Sequence, residues 1–598
     1  MPLTRHLAVP LAALALVLGT SRAALAVCSV TSACSAAPFL APSSGCCGAT
    51  TCTIDGTVTL SGPACGLDFG ARNVTLSGAL VVGSGTLTLA AGGLTVTGLL
   101  NARGTTAKPG GNVTLALGAG GLSLARGSGT AIDLEGFAAG GGTLTAVVGG
   151  RVSLSGGDID ASALEPGAGG GTITLQQTAG STPMSVGISI RANAGTDGIG
   201  GTITLQAPAD LPADLNVTDT GAIVALGDEG SIELDAEGGK VTVAGAAVIR
   251  ASGLSDSAGN GGDISITAGS VEIDGTLDAR GGSDPTRDFG GDGGTIEIEA
   301  RTGAFTLAQG AQGLMVDGAA GAYAGEVDLA TDSPARGALT IAGPVSAQGH
   351  GGLSGRPGAG GEIDVDSARG LAVTNGLYVN GAGNGGGSVS LAAKRDVVMN
   401  ASIDARDLVG VGGVAIDAGH DLTLTGSNIR VNATVDGTGD SITALAGNDL
   451  TLSGSLLDAS GAGTGAGSLV ALSAGRNLSI DRTSTLNAKS ARGSGKPGGN
   501  ITLTAGTAEL AGNLRVDGTV TASGHASTSA VPNPASIALG GCQVTVSGTG
   551  LVDSSGDVNA RNLVIGRTAI TIDGTLRTTA AAWVAATRRT IRSAPRPR

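Results

Sequence analysis

The chain has 598 residues, of which 108 are glycine and 8 are aromatic, and charged residues make up 14%. Collagen is excluded because glycine shows no three-residue period and proline is limited to 19 residues, and general disorder is disfavoured because 41% of the chain is hydrophobic. Residues 1–26 and 579–598 hold seven of the 34 Lys and Arg and no Asp or Glu, so residues 27–578 carry 27 basic against 48 acidic residues, a net charge of −21. Such an acidic surface repels phosphate backbones, and we therefore expect no nucleic-acid partner.

Residues 1–26 have the order of a secretory signal peptide. A basic start precedes an apolar run over 7–19 and a small-residue end, which predicts cleavage between Ala26 and Val27. The alternative is a lipoprotein box that would lipidate Cys28, in which Val27 fits poorly. No later segment has the roughly 20 apolar residues that a membrane span needs. We expect the mature chain to be exported to the cell surface or the extracellular space.

A cluster of six cysteines follows the signal peptide within 38 residues: Cys28, Cys34, Cys46, Cys47, Cys52 and Cys65. In an oxidising compartment such a cluster predicts disulfides whose connectivity the sequence leaves open. We expect these disulfides to hold an N-terminal cap over residues 27–66, with Cys542 as a free, partly buried thiol. A zinc site is the weaker alternative, because no His lies in the cluster and paired C-x-x-C spacing is missing.

Internal repetition dominates residues 67–578. A Gly-Gly turn followed by alternating aliphatic residues recurs, for example at 110–115, 170–175 and 200–205. We predict that the first aliphatic residue of each copy occupies one equivalent position: Val113, Leu144, Ile173, Ile203, Ile232, Ile264, Ile296, Val327, Ile363, Val389, Val414, Ile442, Leu469, Ile501 and Ile537. Neighbouring copies lie 25 to 36 residues apart.

The period-two alternation within each copy predicts short β-strands with an aliphatic and a polar face. Asp-Gly corners separate the strands, as at 54–58 and 273–277. With three strands in about 30 residues, the pattern predicts an all-β, single-stranded parallel β-helix of roughly 17 coils. The alternative, a set of antiparallel β-sandwiches, would show hairpin turns and larger core residues.

Residues 579–598 depart from the repeat pattern. They change to alanine, Trp583 and an end rich in Arg and Pro. We predict a disordered basic tail over 579–598, and no cap is apparent before it.

Three phrases in the repeats carry a family resemblance. They read Ala-Gly-His-Asp-Leu-Thr-Leu-Thr at 418–425, Ala-Gly-Asn-Asp-Leu-Thr-Leu-Ser at 446–453 and Ala-Gly-Arg-Asn-Leu-Ser-Ile-Asp at 474–481. They resemble the repeats of filamentous-haemagglutinin-type bacterial adhesins. The resemblance implies an exported bacterial protein with a right-handed β-helix used in adhesion. It also implies a surface ligand, either a glycan or a protein of a host or of another cell.

His420, which precedes Asp421, is the strongest candidate for a catalytic residue. The same place in neighbouring copies holds Asn448, Arg476 and Arg395. A position that accepts three different polar side chains is typical of a solvated corner. We therefore predict no catalytic role for His420.

Other candidate sites have weaker support. His350 and His525 lie in Gly-rich loops without a surrounding motif, and no Gly-x-Ser-x-Gly sequence indicates a hydrolase elbow. Acidic corners such as Asp263 and Asp292 could take calcium, but a nine-residue calcium repeat is missing. We predict no catalytic, metal or cofactor-binding residue.

A polysaccharide lyase or glycoside hydrolase is the serious alternative, because glycoside hydrolysis needs two carboxylates on facing sides of a cleft. Stacked coils are expected to bring such groups together, for example Glu272, Glu297 and Glu299. The shortage of aromatic rings argues against a sugar-binding cleft. The sequence as a whole predicts an exported, non-enzymatic β-solenoid that acts as a structural, adhesin-like rod.

Overall fold

The structure is a computed structural model. It describes residues 28, 30–209, 211–284, 289–352, 355–408, 412–491, 495–507, 511–524, 535–556, 561–578, 583–586 and 591–593. The predicted signal peptide, with its cleavage site at Ala26 and Val27, lies outside the described residues. So do His525 and most of the predicted tail.

The chain folds as the predicted parallel β-helix, an all-β solenoid of about 18 turns. One turn consists of three strands that belong to three different sheets, for example Glu326–Thr331, Leu339–Ile341 and Val345–Ser346. Every strand of a sheet pairs in parallel with the equivalent strand of the next turn. We call these the first, second and third sheets in chain order. The parallel pairing rules out the antiparallel sandwich.

The strands have the following bounds. Up to residue 230 they are Ser32–Ala33, Thr51–Ile54, Thr57–Leu60, Ala64–Asp68, Asn73–Leu76, Ala79–Val81, Thr86–Val96, Leu99–Asn101, Asn112–Asp133, Thr143–Val148, Val152–Asp160, Thr172–Gln177, Met184–Val186, Ser189–Arg191, Thr202–Gln206, Leu215–Val217 and Ala222–Val224. From 231 to 410 they are Ser231–Val243, Val248–Arg250, Asp263–Ile273, Thr276–Asp278, Thr295–Ala300, Phe305–Leu307, Gly313–Met315, Glu326–Thr331, Leu339–Ile341, Val345–Ser346, Glu362–Ser367, Leu371–Val373, Leu377–Tyr378, Ser388–Ala393, Val397–Met399 and Ser402–Asp404. Beyond residue 410 they are Gly413–Ala418, Leu422–Thr425, Asn428–Arg430, Ile442–Ala446, Leu450–Ser453, Leu456–Asp458, Leu469–Ala474, Leu478–Ile480, Thr485–Asn487, Asn500–Ala505, Asn513–Val516, Thr519–Thr521, Ser536–Val546, Leu551–Asp553, Arg561–Ile572, Thr575–Arg577, Trp583–Ala586 and Ile591–Ser593.

The repeat register predicted from the sequence holds at every copy except one. In the strand Leu469–Ala474, Val470 pairs with Ile442 and Ile501, whereas Leu469 is 36% exposed. The prediction of Leu469 as the inward residue is wrong by one position. With Val470 facing inward, the alternation also buries Leu472 and Ala474. With Leu469 facing inward, it would bury Ser473 instead.

Among the described residues, aliphatic side chains fill the interior continuously from Ile54 to Ile570. Fully burying one Leu, Ile or Val is worth about 1.5–3 kcal/mol relative to exposure. The interior also accepts one phenylalanine in mid-rod, where Phe305 stacks between Val271 and Leu339. The predicted narrow aliphatic core therefore tolerates a single ring at this turn.

A short helical segment closes the N-terminal end. It consists of an α-helix, Ala37–Leu40, and a 3-10 helix, Pro42–Ser44. Phe39 is fully buried, and its ring meets that of Phe69 edge to face with 5.7 Å between centroids. The helix thus adds an aromatic pair to the end of the aliphatic core.

Disulfides cross-link this end, as the cysteine cluster predicts. They join Cys28 to Cys46, Cys34 to Cys65 and Cys47 to Cys52, and Cys542 is free. The thiol of Cys28 is thereby committed to a disulfide, so it offers no nucleophile for the lipoprotein alternative. The same pairing leaves no thiolate in the cluster for zinc.

Two short strands lie inside the region for which a disordered tail was predicted. Trp583–Ala586 and Ile591–Ser593 both pair in parallel with Arg561–Ile572. The other residues of 579–598 lie outside the described part of the chain. Among the described residues, no helix combines the length and the apolar character required to cross a bilayer.

Candidate functional site

Charged side chains are concentrated where strands of the third sheet end and Gly-rich loops begin. The last outward residue of these strands is often Asp, and its carboxylate accepts a hydrogen bond from the backbone N–H two residues later. This Asx-type turn ends the strand and fixes the orientation of the carboxylate. It occurs at Asp133, Asp160, Asp278, Asp458 and Asp553.

The first cluster on this edge contains three carboxylates. Burial raises the pKa of Asp133 and of Glu135, and the neighbouring charge of Asp160 raises both further. Glu135 forms an ion pair with Arg103 at 2.8 Å, and Asp160 forms one with Arg191 at 3.1 Å. Carboxyl groups whose pKa is raised are candidates for a general acid.

The second cluster surrounds Asp278, which is buried between two arginines. Arg280 donates two hydrogen bonds of 2.9 Å to its oxygens, and Arg250 lies 3.0 Å away. Burial alone would raise the pKa of Asp278, but the hydrogen bonds and charges of Arg280 and Arg250 hold it below its usual value. Asp278 therefore stays ionised and is unsuited to proton transfer at neutral pH.

A cavity of about 570 Å³ opens beside this second cluster. Arg250, Arg280, Asp317 and His350 line it together with glycines. Asp317 accepts hydrogen bonds from the Ser346 hydroxyl and from the Gln348 backbone N–H. Among the described residues, the exposed imidazole of His350 forms no side-chain hydrogen bond. The lining can bind a polar ligand, but its charged groups already have partners within the protein.

The structure places His420 at the predicted solvated corner. Backbone hydrogen bonds stack Arg395, His420, Asn448 and Arg476 in consecutive turns, with N–O distances of 2.8–3.0 Å. The side chain of His420 is exposed. The carboxylate of Asp421 accepts a hydrogen bond from a backbone N–H of the following turn. The adjacent carboxylate thus joins two turns and makes no hydrogen bond to the imidazole among the described contacts.

The structure separates the three glutamates that stacking was expected to bring together. Glu297 and Glu299 point outward from the first sheet, whereas Glu272 lies on the second sheet. Glu272 pairs with Lys240, and Glu299 pairs with Arg301 at 3.0 Å. The expected grouping is wrong, because the chain turns a corner between Thr267 and Glu272 and presents them on different faces.

An acidic section of the first sheet was not recognised from the sequence. Its carboxylates come from adjacent turns and include Glu297, Glu326, Asp328, Asp364 and Asp366. Burial raises the pKa of Asp328, and the charges of these neighbours raise it further. The alternation of acidic and aliphatic residues at 326–329 and 362–366 is the sequence pattern from which this acidic section could have been predicted. In the part of the chain that is described, no group of three or more His, Cys, Asp or Glu side chains is arranged to hold a metal ion.

In comparisons with known proteins, no family model, curated protein or solved structure matches the chain.

Proposed function

We propose that this chain is an exported, non-enzymatic β-solenoid that acts as an adhesin-like structural rod at the cell surface or outside the cell. The observation that carries the proposal is the unbroken stacking of about 18 turns. Because each turn adds about 4.8 Å, the rod is about 85 Å long. A rod of this kind displays repeated polar surface at a distance from its point of attachment.

The cross-linked N-terminal end supports export. Three disulfides persist in oxidising compartments and are rare in the reducing cytosol. They also fasten the first turns, whose strand edges and interior would otherwise be open. The expected partner is a surface glycan or a cell-surface protein, in line with the resemblance to adhesin repeats.

Surface proteolysis tests the location of the rod. Intact cells that express the full chain are treated with a protease that cannot enter them, beside cells expressing a variant without residues 1–26. We expect cleavage of the full chain and protection of the variant. Protection of both chains, together with reduced cysteines in the full chain, would contradict export.

A binding assay tests the adhesive role. The purified full chain is presented to immobilised glycans and to intact cells, with a heat-denatured, reduced and alkylated sample as the unfolded control. We expect saturable retention that is lost in the control. Equal retention of both samples would show nonspecific adsorption and contradict the proposal.

Polysaccharide cleavage is the second candidate function, and the raised pKa of Glu135 favours it. It ranks second because Glu135 is paired with Arg103, and Asp160 with Arg191. A polysaccharide-degradation screen of the wild type, Glu135→Gln and His420→Asn tests it. We expect no activity in any sample. Activity that Glu135→Gln abolishes and His420→Asn retains would establish an enzyme and overturn the first proposal.

A further inference from the structure

The first sheet carries a regular array of threonines over five consecutive turns, which we call the threonine face. Two outward positions on each strand form two ranks along the rod. The face consists of Thr86, Thr88, Asn112, Thr114, Thr143, Thr145, Thr172, Thr174, Thr202 and Thr204. Nine of the ten positions are therefore threonine. All ten are exposed or partly exposed.

Strand pairing holds the two ranks in strict register. Thr145 pairs with Thr114 on one side and with Thr174 on the other, and Thr174 pairs with Thr204. No bulge interrupts these pairings within the face. Neighbouring hydroxyls are therefore spaced about 4.8 Å along the rod and about 6.6 Å along each strand. The face is thus a two-dimensional array of ten polar side chains, nine of them threonine.

The threonine face is electrically neutral. Along the first-sheet part of these five strands, the next outward residues are Ala90, Ala116, Val147, Gln176 and Gln206. Charge begins at the adjacent turns, with Asp68 on one side of the face and Glu233 and Asp235 on the other. Within the described residues, the one hydrogen bond between a threonine of the face and another side chain joins Thr204 to Glu233, where the face ends. The other hydroxyls are thus available to solvent.

Threonine gives this lattice a fixed geometry. Because its Cβ is branched, its χ1 angle is restricted, and both its methyl and its hydroxyl are held in place on a strand. The methyl groups order adjacent water, and the hydroxyls can hydrogen-bond to it. The spacing of about 4.8 Å along the rod is close to the shorter repeat distance of oxygen atoms in hexagonal ice.

We propose that the threonine face binds ice, through water molecules ordered on the ranks of methyl and hydroxyl groups. A neutral, periodic surface matches a neutral, periodic solid, whereas charged groups would organise water around themselves. A crystalline polysaccharide is also periodic, but the face offers no aromatic ring for sugar stacking. Ice binding is independent of the proposed cell-surface role, because that role requires no particular property of the threonine face.

The experiment measures thermal hysteresis and incorporation into growing ice for the purified full chain. Serum albumin at the same molar concentration is the non-binding reference. The disrupting variant combines Thr145→Lys with Thr174→Lys, which lie on adjacent turns of the face. The matched control combines Thr423→Lys with Thr451→Lys, which lie on adjacent turns of the second sheet.

We expect thermal hysteresis and ice incorporation for the wild type and the control, and loss of both for the disrupting variant. Circular dichroism checks that each variant is folded. If the lysine variant does not fold, Thr145→Ser with Thr174→Ser replaces it, because serine keeps the hydroxyl and loses the methyl and the χ1 restriction. Reduced ice incorporation is then expected.

Three results would overturn the inference. The first is wild-type behaviour equal to that of albumin. The second is an equal loss in the disrupting variant and in the second-sheet control. The third is retention of the wild type on cellulose or chitin without incorporation into ice, which would assign the face to a polysaccharide.

Discussion

Removing the disulfide between Cys34 and Cys65 should loosen the N-terminal turns more than removing the one between Cys47 and Cys52. The first pair is separated by 31 residues and the second by 5. In the chain-entropy treatment of cross-links, closing a loop of 31 residues destabilises the unfolded state by about 3.7 kcal/mol, and closing a loop of 5 by about 2.1 kcal/mol. The variant Cys34→Ala with Cys65→Ala is therefore expected to lose about 1.6 kcal/mol more than Cys47→Ala with Cys52→Ala.

Hydrogen exchange measured by mass spectrometry is the appropriate assay, because a solenoid unfolds locally from its ends. Protection of peptides from 51–81 should fall in both variants, and further in the Cys34 and Cys65 variant. Peptides from 536–553 serve as an internal control, since they lie many turns away. Equal loss in the two variants would refute the loop-length argument. Loss at 536–553 would refute the assumption that each turn is stabilised only by its neighbours.

Three further predictions concern packing and charge. Gly447→Ala places a Cβ 2.0 Å from a backbone oxygen of the preceding turn, whereas nothing lies within 4 Å of a Cβ at Gly548. We therefore expect Gly447→Ala to lower the free energy of unfolding in urea by about 1–3 kcal/mol, and Gly548→Ala by about 0.5 kcal/mol or less. Equal unfolding midpoints for the two variants would contradict this. Val470→Asp buries an unpaired carboxylate and should lower the urea unfolding midpoint strongly, whereas the midpoint of Leu469→Asp should stay close to that of the wild type. A larger loss for Leu469→Asp than for Val470→Asp would support the register expected from the sequence. Because the pKa of Asp328 is raised, the folded wild type gains stability as the pH falls through that pKa. Asp328→Asn should therefore be more stable than the wild type at pH 7 and lose this advantage below the usual pKa of Asp, about 3.9. A difference in stability that does not change with pH would contradict this.

The three-sheet solenoid could be predicted because the sequence repeats one local pattern many times. Alternating aliphatic residues recur at every copy, and most copies follow a Gly-Gly turn, so an error at one copy does not change the fold. Leu469 shows the limit of this reasoning. In Leu469-Val470-Ala471-Leu472, both phases of the alternation begin with an aliphatic residue, and only pairing with Ile442 and Ile501 selects Val470.

The candidate sites were predicted unevenly for a related reason. The corner role of His420 could be inferred because equivalent corners are visible in neighbouring copies. The grouping of Glu272 with Glu297 and Glu299 failed because it depended on which sheet each strand joins. Strands of three and six residues look alike in sequence, and the corner between them determines the face on which a side chain appears.

By itself, the amino-acid sequence determined the alternation of buried and exposed residues, the repeat and the clustering of the cysteines, because these are local properties of neighbouring residues. The disulfide partners, the carboxylate clusters and the threonine face were decided only by the tertiary structure. The disulfide partners lie 5 to 31 residues apart in the chain. Neighbours within a rank of the threonine face lie about 30 residues apart and come within about 4.8 Å only when turns stack. Since the repeats differ in length, from 25 to 36 residues, no fixed spacing in the sequence reveals which side chains will share a rank. The packing of each turn on the one before it sets that register.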